Sequence, residues 1–225
     1  MRKIGILTIG QSPRPDITSS LKAYLPKDIL LVEAGVLDGM TREYVEKNMQ
    51  PNKNEMVYIS KMSDGSEVKL AKNKIIPIMQ TRIRQLENQE VSFIVIFCTG
   101  EFPEFEAKVP LIYSGEVLKG SVSSFKYQQN VGVLVPIKEQ INYAHKKWRS
   151  FFKNLIIFHA SPYTSTESDF HTVAEEFKKA KVGLIIMDCM GYMFDQKRIL
   201  KEHTNIPVIS SRSILIRFLN ELLDY

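Results

Sequence analysis

Cysteine is scarce in this chain of 225 residues: there are two, Cys98 and Cys189. They lie far apart, with no His or Cys neighbours at ligand spacing, which excludes a zinc site built on them. Long apolar runs are missing as well. The first, Ile4–Ile9, is closed by Gly10 and Pro13, too short to span a membrane and without the apolar core and small-residue cleavage site of a secretion signal. The chain therefore reads as cytoplasmic with no membrane partner, a compartment where a structural disulfide is rare. The two cysteines are then either inert, space-filling thiols or reactive ones. Charge of one sign is not concentrated either. The formal net charge is only +5, and Lys69, Lys72, Lys74, Lys119, Lys126, Lys146, Lys147, Lys178 and Lys179 are scattered. With no zinc-finger spacing, basic heptad or RNA-binding signature, nucleic acid is not indicated. A small anion fits the charge. No Walker loop is present, and Gly5 to Gly10 lacks the G-x-G-x-x-G order, so no cofactor is implied.

What is present is an ordinary globular composition, 44% hydrophobic and 24% charged. Short runs rich in β-branched residues alternate with helix-like stretches, the pattern of parallel βαβ units. Strands are predicted at Ile4–Ile9, Leu30–Val36, Phe93–Phe97, Val131–Val135, Leu155–His159, Leu184–Met187 and Ile206–Ser210. Helices are predicted at Asp16–Tyr24, Asn73–Asn88, Lys138–Phe152, Ser168–Ala180 and Arg212–Leu223. Tyr58–Lys61 and Glu67–Leu70 flank Asp64-Gly65 and read as a hairpin. Trp148 with Phe151 and Phe152 reads as the buried face of its helix.

The two halves repeat. Ile4-Gly5-Ile6-Leu7 matches Val131-Gly132-Val133-Leu134, and Val109-Pro110-Leu111-Ile112-Tyr113-Ser114 matches Ile206-Pro207-Val208-Ile209-Ser210-Ser211. Between them, the strand ending in Phe97-Cys98-Thr99-Gly100 matches the one ending in Asp188-Cys189-Met190-Gly191. Three segments in the same order imply duplication and a pseudo-twofold pair of domains. The repeat also puts the only two cysteines at equivalent strand ends, where parallel sheets bind ligands. Two thiols facing one cleft, on opposite sides of one molecule, suit a proton transfer next to a carboxylate: one thiolate removes the proton and the other thiol delivers one. A helix starting just after either cysteine would lower its thiol pKa. Asp188 would raise that of Cys189, unless its carboxylate points away or orients a donor.

Around the thiols, Thr99, Gly100, Met190 and Gly191 offer backbone or hydroxyl donors. Gly10, Gln11, Ser12 and Arg14 form a loop on the same edge as Cys98; Ser12 can donate to a carboxylate and Arg14 can pair with one bidentately. That loop reads equally well as a turn capping the helix at Asp16. Ser211 and Arg212, beside Ser210, end the last strand as ligand contacts or as a solvated helix start. Glu101 and Glu104 are candidate acid–base helpers or solvated loop residues. Of His145, His159, His171 and His203, which do not cluster in sequence, only His159 ends a strand near this edge.

The paired strand-Cys-x-Gly segments resemble the aspartate/glutamate/hydantoin racemase superfamily, Met187-Asp188-Cys189-Met190-Gly191 most of all its hydantoin branch. Across nearly the whole length the chain resembles the AroM family, through Ile6-Leu7-Thr8-Ile9-Gly10-Gln11-Ser12-Pro13-Arg14, Val133-Leu134-Val135-Pro136, Met187–Gly191 and Pro207-Val208-Ile209-Ser210-Ser211. The resemblance implies an α/β fold of two pseudo-twofold-related, flavodoxin-like parallel-sheet domains of the Asp/Glu racemase kind, with the hairpin inserted in the first. The expected domains are 1–115 plus 211–225, and 116–210. It also implies a cofactor-independent racemase or isomerase acting on a small anionic carboxylate through Cys98 and Cys189, and allows a homodimer. A non-catalytic anion-binding protein, or a decarboxylase or cis–trans isomerase using one cysteine, stays open. Cys98 keeps a threonine after it, but Met190 follows Cys189 where the amino-acid racemases carry threonine, and Asp188 precedes it.

Overall fold

Two four-stranded parallel sheets organise the chain, whose residues 2–53 and 55–223 are described by a computed structural model. Contacts divide it into one unit of Met1–Gly115 with Ile216–Tyr225 and a second of Glu116–Leu215. The strands are β1 (Arg2–Thr8), β2 (Ile29–Gly35), β3 (Val57–Lys61), β4 (Glu67–Ala71), β5 (Ile94–Ile96), β6 (Leu111–Tyr113), β7 (Val131–Val135), β8 (Leu155–His159), β9 (Leu184–Met187) and β10 (Val208–Ser210). The helices are α1 (Pro15–Tyr24), α2 (Arg42–Asn48), α3 (Lys72–Glu87), α4 (Ser114–Ser123), α5 (Ile141–Trp148), α6 (Glu167–Lys179), α7 (Phe194–Thr204) and α8 (Ser211–Leu223).

The first sheet has the order β2-β1-β5-β6 and the second β10-β9-β7-β8. Counted from the start of its own sheet, each places its second, first, third and fourth strands side by side. The sequence repeat is thus present as topology, and also as register. Gly5 pairs with Ile94 and Leu7 with Ile96 in one sheet; Gly132 pairs with Ile185 and Leu134 with Met187 in the other. One step further, the Phe97 amide donates to the Leu7 carbonyl at 2.8 Å and the Asp188 amide to the Leu134 carbonyl at 2.9 Å. The chain leaves the sheet just before each cysteine.

Alternation of side chains across the second sheet builds two cores. Val131, Val133, Val135, Leu184 and Ile186 pack with Trp148 and Phe152 on one face, while Leu134, Ile185 and Met187 pack with Phe170 and Phe177 on the other. Doubly buried strands of this kind need apolar residues at every position, which is why they are conspicuous in the sequence. The first unit packs Leu7, Ile94 and Ile96 against Ile75, Met79, Ile83 and Leu86 of α3, a helix that tolerates Pro77 in its interior. The hairpin β3–β4 is antiparallel as expected, with Gly65 at φ 92° in its turn.

Differences from expectation are local. The helix expected over 138–152 is a 3₁₀ turn at Lys138–Gln140 followed by α5, which stops at Trp148 as the Phe151 and Phe152 amides turn onto the Trp148 carbonyl. Helices α2, α4 and α7 lie outside the predicted elements, and strand β6 enters only through the repeat that matches 109–114 to 206–211. Among them, α2 buries only Val45 and α7 only Leu200, too few apolar positions for a periodic signal.

Candidate functional site

Both cysteines are thiols, half-buried, and begin the loops after β5 and β9. In each loop the amide two residues on donates to the sulfur: Gly100 N–H to Cys98 Sγ at 3.4 Å, and Gly191 N–H to Cys189 Sγ at 3.3 Å. A backbone N–H on sulfur favours the thiolate over the thiol. No helix follows Cys98, whose loop runs to β6, and α7 begins only at Phe194, five residues past Cys189. Neither thiol therefore lies at a helix N-terminus, and each has a backbone amide as its donor.

Glycine is required in both loops by a tyrosine. A Cβ on Gly100 would stand 2.7 Å from the Tyr58 ring, and one on Gly191 would stand 2.7 Å from the Tyr163 hydroxyl. Tyr58 belongs to β3, and its hydroxyl donates to the Glu101 carbonyl at 3.3 Å. The same strand accepts the Gln11 amide at the Lys61 carbonyl, 3.1 Å away. The inserted hairpin thus ties the Gly10–Arg14 loop to the Cys98 loop.

The start of the helix after the last strand of each sheet also meets the thiol loop, by different means. Ser114 and Ser211 hold equivalent places in the repeat. In the first unit the backbone at Gly115 lies against the Thr99 carbonyl, where a Cβ would come within 2.9 Å. In the second, the next residue is Arg212, wholly buried; its Nη2 donates to the Met190 and Gly191 carbonyls at 2.8 and 3.3 Å and its Nε to Met190 at 3.1 Å. Arg212 orients the loop after Cys189 from below instead of lying solvated at a helix start. Ser114 Oγ donates to the Ile96 carbonyl at 2.7 Å, whereas the buried Ser211 Oγ has no hydrogen-bond partner.

Asp188 faces away from the thiol beside it. Continuing the alternation of β9, Cys189 packs on the face that carries Ile185 and Met187, and Asp188 turns to α5. There Lys147 Nζ donates to both carboxylate oxygens, at 2.8 and 2.9 Å, and Trp148 Nε1 donates to Oδ2 at 2.8 Å. The negative charge next to Cys189 is matched by a buried ammonium. Lys147 had counted only as one of many scattered lysines; it is missed by sequence reasoning because a helical pattern places charged residues in solvent by default.

The Gly10–Arg14 loop is held by the chain's own acids. Ser12 donates through both its amide and its hydroxyl to Asp38, each at 2.6 Å, and the Arg14 guanidinium binds Asp16 bidentately at 2.8 and 2.7 Å. Gln11 donates to the Leu37 and Met40 carbonyls and accepts from the Ser63 amide. Arg14, 3% exposed, meets a carboxylate two residues away in the first turn of α1. Glu104 and His159 are exposed, and Glu101 is half-buried. Among the described residues no group of three or more His, Cys, Asp or Glu side chains is placed to hold a metal ion. A surface depression lined by Glu55, Met56, Lys72, Asn73 and Ile76 contains none of the expected site residues.

The family model described as AroM protein matches residues 4–223. This chain belongs to the AroM family. No curated protein matches it in sequence. Solved structures similar to this AroM chain include a liganded variant of arylmalonate decarboxylase, at TM-score 0.64 and 12% identity over 99% of this chain and 92% of that one. Allantoin racemase from Klebsiella pneumoniae is similar at TM-score 0.62 and 15% identity, covering 99% and 87%. Glutamate racemase from Aquifex pyrophilus is similar at TM-score 0.60 and 16% identity, covering 99% and 84%. At such identities the likeness is one of fold: the AroM chain has the two-domain α/β architecture of the Asp/Glu/hydantoin racemase superfamily.

Proposed function

We propose that this AroM protein is a cofactor-independent racemase or isomerase of a small carboxylate, using Cys98 and Cys189 as its two acid–base groups. The observation that carries the reading is the matched pair of thiols. Each follows the equivalent strand, and each accepts an amide hydrogen from the residue two on. Two unrelated, space-filling cysteines would have no reason to share that environment. The fold's known hosts, which include racemases of glutamate and of allantoin and a decarboxylase of arylmalonates, support a carboxylate or its cyclic equivalent as the ligand.

In the proposed reaction one thiolate takes the proton from the carbon next to the carboxylate. The electron pair left behind is delocalised into that group, and the opposing thiol gives its proton to the other face of the carbon. The two sulfurs end with their protonation states exchanged. Thr99 and the Met190 backbone amide are the proposed donors to the ligand, while the Gly100 and Gly191 amides stay on the two sulfurs. Gln11, Ser12, Arg14 and Arg212 are assigned to holding the loops in shape, since each is already engaged by groups of this chain. The chemistry demands that both sulfurs reach one carbon.

The test is deuterium wash-in at that carbon in D₂O, with glutamate, aspartate, allantoin and an arylmalonate as the panel. Exchange that is lost in both Cys98→Ala and Cys189→Ala supports the proposal. Loss in one variant alone leaves a single-cysteine decarboxylase or isomerase. Tight binding of a panel member, with no exchange in any form, leaves an anion-binding protein.

A further inference from the structure

Two histidines meet on the surface of the second unit, outside the thiol loop. His171 Nδ1, on α6, lies 3.3 Å from His203 Nδ1, in the last turn of α7, with ring centroids 4.7 Å apart. Each ring is backed by a carboxylate on its other nitrogen: Glu167 Oε1 stands 3.4 Å from His171 Nε2, and Glu175 Oε1 stands 2.8 Å from His203 Nε2. Glu167, His171 and Glu175 recur at four-residue spacing and so share one face of α6. Lys178 also donates to Glu175 Oε1, at 3.0 Å.

A carboxylate facing Nε2 selects the tautomer that carries its proton there. When both rings adopt it, both Nδ1 atoms carry a lone pair, and they stand 3.3 Å apart. Two lone pairs at 3.3 Å repel one another unless a cation lies between. A metal ion between the two nitrogens fills that role. Two nitrogen ligands at the usual distance from a tetrahedral zinc stand about 3.4 Å apart, which is the separation seen here. Carboxylates on the far nitrogens are also what fixes the tautomer and raises the basicity of metal-binding histidines.

We propose that His171 and His203 bind one divalent transition-metal ion of the zinc, nickel or copper class through their Nδ1 atoms, with Glu167 and Glu175 orienting the rings and water completing the coordination. Imidazole nitrogen suits these ions, and not magnesium or calcium.

The test is a Zn²⁺ titration of the full chain carrying Cys98→Ser and Cys189→Ser, which removes competing thiolates, followed by calorimetry. One equivalent should bind, and His171→Ala or His203→Ala should abolish that binding. Glu167→Gln should weaken it about ten- to a hundredfold. Both histidines are half-exposed, so their removal leaves the core intact, and circular dichroism should be unchanged. As a second readout, ¹⁵N spectra of the unsubstituted, reduced chain should show the Nδ1 resonances of His171 and His203 moving on Zn²⁺ addition, with those of His145 and His159 fixed. Zn²⁺ binding that survives either alanine variant overturns the proposal, as does the absence of saturable binding. Nδ1 signals that stay still also overturn it.

Discussion

Lys147 holds both oxygens of the Asp188 carboxylate, at 2.8 and 2.9 Å, with the two side chains only 1% and 5% exposed. The pair is out of water, one residue before Cys189, and a third donor, Trp148 Nε1, completes it. Removing one partner strands the other's charge. Lys147→Met or Asp188→Leu alone is expected to cost about 3–5 kcal/mol. The double variant should recover most of that, though it leaves the indole N–H unpaired at about 1–3 kcal/mol. Urea denaturation followed by the fluorescence of Trp148, the chain's only tryptophan, measures all three. Additive losses in the double variant would show that the pair does not act as a unit.

Arg212 makes a different prediction. Its guanidinium is the support under the Met190 and Gly191 carbonyls, and the Gly191 amide is in turn the donor to Cys189. Arg212→Ala should destabilise the second unit by on the order of 2–3 kcal/mol, because buried carbonyls lose their donor. It should also change the alkylation rate of Cys189 by iodoacetamide while leaving that of Cys98 as it was. Arg212→Lys should rescue little, since a single ammonium cannot reproduce a planar fork reaching two carbonyls. Peptide-level mass spectrometry after timed labelling separates the two cysteines. Equal changes at both sulfurs would mean the arginine acts through global stability instead.

A steric prediction concerns the other thiol loop. Gly100→Ala drives a methyl group into the Tyr58 ring, which is itself buried at 4% exposure and cannot swing aside. A loss of about 1–3 kcal/mol is expected. Placing the same substitution in a Tyr58→Leu background should reduce its cost, because the ring that it strikes is gone. A double-mutant cycle read by thermal denaturation gives the coupling. A cost that is the same in both backgrounds would assign the role of Gly100 to its backbone conformation.

Much of this architecture is legible in the sequence, and the reason is periodicity. Val131–Val135 and Leu184–Met187 coincide with their predicted strands because buried parallel strands demand unbroken apolar runs, and the edge strand Leu155–His159 also matches its predicted bounds. The repeat placed Cys98 and Cys189 at equivalent strand ends, and register bears this out residue by residue. What escaped were features without a periodic signature. Strand β6 is three half-buried residues, and α7 buries only Leu200. The partners of polar groups were equally hidden. Whether Arg14 meets a ligand or Asp16, and whether Asp188 faces its thiol or Lys147, depends on directions that sequence spacing does not encode. The proximity of His171 to His203 arises only because α6 packs on α7.

The pH dependence of α6 can be foreseen with its sign. Asp169 closes a capping box: its carboxylate accepts the Thr166 amide at 2.7 Å and the Thr166 hydroxyl at 2.9 Å, and its own amide donates to Thr166 Oγ1. The backbone hydrogen bond from Thr166, helped by the hydroxyl, holds the Asp169 carboxyl below its ordinary value. A group whose folded pKa is depressed stabilises the fold fully above its unfolded pKa and loses that contribution as pH falls through the folded one. Its share is therefore intact at neutrality and vanishes only below about pH 4, where a free aspartate begins to protonate. Asp169→Asn should make the chain less stable than the parent at neutral pH, with the gap narrowing as pH is lowered through that range. Urea midpoints for both proteins across a pH series measure the gap. A gap that persists unchanged into acid would mean that the cap works through hydrogen-bond geometry alone, without the charge.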